Sequence, residues 1–305
     1  MSILEQAAAK LREIGCEVLE NEPMKRHTSF KIGGEADLLV TVNTKKQLAQ
    51  ALGYIREIDI PLMFMGNGTN MLVSDKGIRG IVLKLGGEFC EIFLEDENTI
   101  RCGAGALLVT VCRFALENSL TGLEFAYGIP GSVGGAAFMN AGAYGGETKD
   151  VAVSCECITK DGEYITVENE DCDFAYRHSR FSDSGELVTE VTFRLEKGDA
   201  EKIREQMDDI MGRRKDKQPI ELPSAGSVFK RPVGYFAGGL IQECGLKGHT
   251  VGGAQVSMKH SGFIVNIGDA TCNDVLELIA YIQKTVLDEK GVQLECEVRA
   301  VGDEV

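Results

Sequence analysis

The segment Gly128–Glu147, GIPGSVGGAAFMNAGAYGGE, places seven glycines in twenty residues. Each glycine gives up more backbone entropy on folding than any other residue, so such a density needs a reason. A flexible linker would be rich in Gly and Ser and otherwise polar. Here Ile129, Val133, Ala136, Ala137, Phe138 and Met139 stand between the glycines, so the segment is packed. Its glycines recur as G-x-x-G-x-x-G-G over Gly128–Gly135, a spacing that lets buried backbone lie against something flat or anionic. Tight turns packed on one another would use the same residues.

A second loop bears on that choice. GNGTN, Gly66–Asn70, follows the short apolar run PLMFM. Glycine and asparagine both tolerate positive φ, so successive N–H groups can converge on one anion. Two such loops, about sixty residues apart, point to a nucleotide cofactor held mainly by backbone amides. Other nucleotide motifs are weaker. GAGALL, Gly103–Leu108, begins like a dinucleotide fingerprint but lacks the third glycine, and reads as a strand-to-helix turn. There is no G-x-x-x-x-G-K-[ST].

Composition sets limits. The 305 residues suffice for two or three domains, and 44% hydrophobic with 26% charged residues is a globular balance. A net charge of −15, spread along the chain, excludes nucleic acid as a partner while allowing an anionic small molecule where local cations gather. No stretch approaches the roughly eighteen apolar residues of a membrane span. The N-terminus carries Ile3, Leu4, Ala7, Ala8, Leu11 and Ile14 at helical spacing among charges, unlike a signal peptide. A cytoplasmic protein without membrane insertion is expected. Of ten cysteines only Cys155 and Cys157 are close, as C-x-C, so reduced, mostly buried thiols are expected and no metal site.

Periodicity predicts an α+β chain. Helices are expected from Thr44, which with Gln47 forms a capping-box pattern, over Leu107–Asn118, Ala200–Lys217, Gly238–Cys244 and Asn273–Lys290, the last capped by Asn273 and ended by Gly291. Strands are expected at Ile81–Leu85, Thr99–Cys102, Leu187–Leu195, Gly262–Ile267 and Gln293–Val301. VAVSCECITKDGEYITV reads as a hairpin turning at Asp161-Gly162. The implied domains are residues 1–90, 91–198 and 199–305.

Several side chains are candidates for chemistry. AYRHSRF, Ala175–Phe181, sets two arginines among aromatics, where a guanidinium suits a carboxylate or phosphate. SAGSVFKRP, Ser224–Pro232, joins a small-residue turn at Ser227 to the cations Lys230 and Arg231; no hydrolase elbow surrounds that serine. LECEVRA puts Glu295, Glu297 and Arg299 on one side of a predicted strand, the ordinary pattern of a solvated face.

Taken together, HTSFKIGG, GNGTNMLVSD, LEFAYGIPGSVGGAAFMNAGAYGGE, YRHSRF, PSAGSVFKRP, AGGLIQECGLKGHTVGGAQVS, GFIVN and LECEVR resemble, in order and over nearly the whole chain, the UDP-N-acetylenolpyruvoylglucosamine reductase (UDP-N-acetylmuramate dehydrogenase) family. The short spacing between YRHSRF and the helix at Ala200 is similar to the family's second subtype, which lacks an extra tyrosine-bearing loop. The resemblance implies two FAD-binding subdomains of the vanillyl-alcohol-oxidase (PCMH) type and a C-terminal α+β substrate domain. It implies a flavoprotein oxidoreductase of peptidoglycan precursor synthesis, with non-covalent FAD and NADPH as co-substrate, serving cell wall biogenesis, cell shape and cell division. By motif it assigns Arg177, Ser227 and Glu297 to catalysis, with Ser227 as proton donor. It assigns Tyr176, Lys217, Lys230 and Arg231 to the substrate, though Arg231 stands where some relatives carry asparagine. FAD would be received by Gly66, Asn67, Gly68, Thr69, Asn70, Gly128, Ile129, Pro130, Gly131, Ser132, Gly134 and Gly135, while Gly145 and Gly146 turn the chain. His178 falls to a structural or rim role, and a monomer is expected. The competing readings are a flavin oxidoreductase of this fold with another substrate, and a non-catalytic flavin- or nucleotide-binding sensor.

Overall fold

The computed structural model describes residues 2–305, which fold as an α+β chain of two compact units. Unit 1 comprises Met1–Leu19, Leu38–Asn67 and Ile81–Arg213, and unit 2 comprises Glu20–Asp37, Gly68–Gly80 and Arg214–Val305. Among the described residues no helix is long and apolar enough to cross a membrane.

Unit 1 has two cores. In the first, helices Ile3–Ile14 and Lys45–Glu57 pack through Ala7, Ala8, Leu11, Leu48, Ala51 and Ile55 onto Leu38, Val40, Ile81 and Leu83 of a four-stranded sheet. Thr44 caps the second helix by accepting the N–H of Gln47 at 3.1 Å. The Gln47 side chain accepts from Asn43 N–H instead of Thr44, so only half of the predicted box forms.

The second core lies on an antiparallel five-stranded sheet in the order Tyr164–Glu168, Ala152–Ile158, Leu187–Arg194, Thr99–Gly103, Ile92–Leu94. The C-x-C pair is a consequence of this sheet. Cys155 and Cys157 point to one face by period two and are fully buried. All ten cysteines are free thiols, seven of them buried, and burial pushes the Cys157 thiol up to about 12. The predicted hairpin turn holds: Ile158 pairs with Tyr164 across Thr159–Glu163, with Gly162 at φ +89°.

Unit 2 is built on a second antiparallel sheet, Ser224–Ser227, Phe263–Asn266, Ala254–Val256, Thr250–Val251. Helices Ala237–Glu243 and Cys272–Lys290 contribute Leu240, Ile241, Val275, Leu278, Ile279 and Ile282 to its core. The long helix begins one residue earlier than predicted. Thr271, not Asn273, is the cap, in a full capping box with Asp274, and the Asp75 carboxylate accepts the N–H groups of Cys272 (2.8 Å) and Asn273 (3.1 Å). Gly291 ends it in the left-handed conformation, as expected.

The predicted last strand is corrected. Only Arg299–Val301 forms a strand, pairing in parallel with Met71–Val73. The preceding residues are held by single bonds to the Val228–Lys230 segment, so Glu295, Glu297 and Arg299 do not form a stripe on one strand.

Close packing at the end of Thr99–Gly103 gives a direct test of unit 1. A Cβ at Gly103 would overlap the carbonyl of Phe89, which is main chain and cannot swing aside. Gly103→Ala is expected to lower stability by at least about 2 kcal/mol in urea unfolding, whereas Gly53→Ala, where a Cβ meets nothing within 4 Å, does not destabilise.

Candidate functional site

In unit 1, strand Leu62–Phe64 runs parallel to Ile78–Leu85, and Met65 N–H still donates to Leu83 at 2.9 Å before the chain leaves the sheet at Gly66. A Cβ on Gly66 would lie 2.6 Å from Ser132 Oγ, so the glycine at the first loop's start is required by the second loop. That hydroxyl is itself the cap of helix Val133–Met139, accepting Gly135 N–H at 3.3 Å. The two glycine-rich loops singled out in the sequence therefore meet at Gly66 and Ser132.

The glycines of Gly128–Glu147 divide by function. The N–H groups of Val133 and Gly134 donate to Ala106 (2.9 Å) and Ala104 (2.8 Å), and Leu108 N–H donates to Gly131 at 3.0 Å. The segment is thus stitched to the GAGALL turn, and a Cβ on Gly134 would come within 2.8 Å of the Ala104 Cβ. Gly145, at φ +91°, turns the short hairpin Gly142–Ala143 to Gly146–Glu147. Gly146 does more than turn: a Cβ there would lie 2.7 Å from the Phe125 ring.

What remains after these bonds is a set of backbone donors. Among the described residues, the N–H groups of Gly66, Asn67, Gly68, Thr69 and Asn70 find no acceptor, and neither do those of Gly131 and Ser132. Gly68 is buried, where a main-chain N–H is normally paired. Among the other expected contacts, Ile129, Gly134 and Gly135 already use their N–H groups within unit 1.

YRHSRF forms a tight turn. Ala175 and His178 exchange both main-chain hydrogen bonds (3.1 and 3.2 Å), leaving Tyr176 and Arg177 at the tip. Arg177 has φ +55°, an uncommon conformation for a residue with a side chain, and its guanidinium carbon lies 5.4 Å from the Tyr176 ring centre. The turn is anchored to the glycine-rich segment, since Asn140 Nδ2 donates to the Ala175 carbonyl (3.1 Å) and Ser179 Oγ to that of Phe138 (2.8 Å). The two arginines separate: Arg180 makes a two-pronged pair with Glu186 at 3.0 and 2.8 Å. His178 is held by Asp173 (3.1 Å) and Ser182 (3.1 Å), a structural arrangement.

In unit 2, Ser227 sits at the end of a bulged strand. Ser224 opposes Val265 and Ser227 opposes Phe263, and Gly226, at φ +79°, takes up the extra residue. Among the described residues, the half-buried Ser227 hydroxyl has no hydrogen-bond partner. The next carbonyl, Val228, accepts the N–H of Glu297 at 2.7 Å and of Val298 at 3.3 Å, which brings the SAGS turn and the CEVR segment together. Lys230 donates its N–H to Glu295 (2.9 Å) and places its ammonium 3.5 Å from that carboxylate. The Arg231 guanidinium stacks 4.1 Å from the Phe236 ring centre, and Lys217 is exposed at the end of helix Ala200–Lys217.

Ser29 and Val228 were not singled out by the sequence. Ser29 N–H donates to Gly68 (3.1 Å) while its hydroxyl donates to the Ser224 carbonyl (2.6 Å), tying HTSF to both GNGTN and SAGS. The quoted HTSF motif carries that signal. Val228 acts through a carbonyl that any residue would supply.

The contact between Gly66 and Ser132 is testable. Gly66→Ala is expected to displace the capping hydroxyl and cost about 1 kcal/mol in urea unfolding, and to cost little more in a Ser132→Ala background. Additive losses would show that the two positions are independent.

Comparison with known proteins now bears on the whole chain. Residues 36–168 match an FAD binding domain, and residues 218–301 match the UDP-N-acetylenolpyruvoylglucosamine reductase C-terminal domain. The chain is 49% identical to the UDP-N-acetylenolpyruvoylglucosamine reductase of Geobacillus kaustophilus over 100% of both chains. It is likewise 49% identical to that of Pediococcus pentosaceus, over 94% of this chain and 95% of the relative. The crystal structure of the reductase (MurB) from Thermus caldophilus superposes with a TM-score of 0.81 at 38% identity, covering 93% of this chain and 98% of that one. The expected architecture, an FAD-binding fold of the PCMH type with a C-terminal α+β domain, is the one found. The chain belongs to the UDP-N-acetylenolpyruvoylglucosamine reductase family.

Proposed function

We propose that this chain reduces the enolpyruvyl double bond of UDP-N-acetylglucosamine enolpyruvate to the D-lactyl ether of UDP-N-acetylmuramate, using NADPH and non-covalent FAD, in peptidoglycan precursor synthesis. The observation that carries the reading is the joining of Ser227–Val228 to Glu297 through one carbonyl, in a chain with 49% identity to named reductases. Bound FAD would supply the hydride delivered to the terminal vinyl carbon.

The donors left without protein acceptors fit that cofactor. The N–H groups of Gly66–Asn70, with those of Gly131 and Ser132, suit a pyrophosphate, which needs donors and no side-chain charge. Other residues serve the substrate. Reduction of the vinyl group places negative charge beside the substrate carboxylate, and groups complementary to that charge act on the transition state. Arg177 supplies a fixed positive charge for the carboxylate. Ser227, whose hydroxyl is not engaged elsewhere, donates a proton to the other carbon; a weak acid works there because an enolate is strongly basic. Glu297 acts protonated or through a water or Arg177, since a bare carboxylate would repel the enolate. Lys217, Lys230 and Arg231 offer cations for the uridine diphosphate, and the exposed Lys230–Glu295 pair is weak enough to exchange for a phosphate.

The subtype without the tyrosine loop is supported by the short passage from the YRHSRF turn to helix Ala200–Lys217, which holds only helix Phe181–Ser184 and strands Leu187–Arg194 and Glu196–Lys197. With a soluble nucleotide substrate and NADPH, the proposed activity would belong to the cytoplasm, where the enzyme would act as a monomer.

Two linked measurements test this reading. Purified holoprotein should oxidise NADPH only when the enolpyruvyl substrate is added; no substrate-dependent turnover overturns it. Ser227→Ala should still allow flavin bleaching by NADPH while slowing reoxidation by substrate by about a hundredfold or more. Equal loss in both half-reactions would show that Ser227 is not the proton donor.

A further inference from the structure

Asn70 closes the GNGTN loop, and its bonds in unit 2 do not run to other loop residues. Its side-chain Nδ2 donates to the carbonyl of Glu297 at 3.0 Å, and its main-chain carbonyl accepts the N–H of Arg299 at 3.1 Å. The parallel ladder beside it begins only at Met71, opposite Arg299. One residue before the ladder starts, the Asn70 carboxamide supplies the donor to the Glu297 carbonyl. The other main-chain group of Glu297 is fixed as well, because its N–H donates to Val228 at 2.7 Å. Glu297 is therefore gripped at N–H and carbonyl by residues of two separate motifs, one adjoining Ser227 and one ending the GNGTN loop.

We propose that Asn70 is a positioning residue for Glu297: its side-chain amide fixes the backbone that carries this carboxyl beside the Ser227 turn, and so acts on reduction of the enolpyruvyl substrate. The inference rests on reading Glu297 as a catalytic carboxyl. The Nδ2 donor of Asn70 is committed to the Glu297 carbonyl. A short residue with a carboxamide is what the geometry requires. Aspartate has the shape without the donor, and alanine has neither.

The test separates the half-reactions in the holoenzyme, comparing Asn70→Ala and the near-isosteric Asn70→Asp with the unaltered protein. Either variant suffices if the other does not fold with flavin. Stopped-flow absorbance follows flavin reduction by NADPH, then reoxidation by UDP-N-acetylglucosamine enolpyruvate. Losing the hydrogen bond should slow reoxidation on the order of tenfold more than reduction. Glu297→Gln should absorb the effect, with Asn70→Ala adding less than about twofold in that background. A merely structural loss would slow both half-reactions alike, and a cofactor contact would show first as weaker FAD binding by the apoprotein. Either result overturns the proposal while leaving the proposed function in place. Unaltered holoenzyme that is reduced by NADPH but not reoxidised by substrate would overturn the function and the proposal with it.

Discussion

Five consecutive main-chain N–H groups, Gly66 to Asn70, find no acceptor among the described residues, and the surrounding structure keeps them so. A run of unpaired donors is unfavourable when partly buried, and a chain left to itself would turn them into a helix or a strand. Each end of the loop is held out of that outcome. At Gly66 the Met65–Leu83 bond completes the sheet and Ser132 leaves no room for a side chain. At Gly68 and Asn70 the carbonyls are engaged by the N–H groups of Ser29 and Arg299, while the N–H groups of Gly68–Asn70 stay open. Donors held ready in this way suit an anion without reorganisation, and on the proposed function they would let an acidic protein take a phosphorylated ligand without a basic surface.

The glycine-rich segment after Tyr127 serves the same end by a different division of labour. Part of it is packing: Gly134 against Ala104 and Gly146 against Phe125 need the absence of a Cβ, not an unusual φ. Part is a turn, at Gly145. The remainder, Gly131 and Ser132, presents two further open N–H groups and the cap of a helix. The same helix is the anchor for the YRHSRF turn through Phe138 and Asn140, so the position of Arg177 follows from packing within unit 1. Its left-handed backbone is strain of the kind that surrounding structure must hold in place.

Much of this was legible in the sequence, and the misses have identifiable causes. Elements with strong periodicity or alternation, such as Ala200–Lys217 and the Ala152–Glu168 hairpin, lie where the pattern puts them. The pairing of GNGTN with the second glycine-rich loop was readable because GNGTN gathers residues that tolerate positive φ, while the second combines glycines with apolar residues that must be packed. The end of the chain misled because Gln293–Val301 alternates like a strand. Its main chain instead bonds to Val228 and Asn70 one group at a time, and alternation cannot distinguish a ladder from isolated bridges. The cap of the last helix was misplaced because Thr271 and Asn273 are both good caps, and the deciding carboxylate, Asp75, lies far away in sequence. Ser227 and Glu297 look like ordinary loop and surface residues on local grounds. Only the resemblance of whole motifs raises them, because their proximity is made by a backbone carbonyl that leaves no mark on residue choice.

Residue-resolved amide hydrogen exchange, compared between FAD-free and FAD-bound protein, tests the role of the open loop most directly. The N–H groups of Gly66 to Asn70 should exchange rapidly without FAD and at least about tenfold more slowly with it, while those of Val133 and Gly134 are protected in both states. Exchange at Gly66 to Asn70 that stays unchanged when FAD is bound would contradict the account, because the cofactor would then be held by other groups.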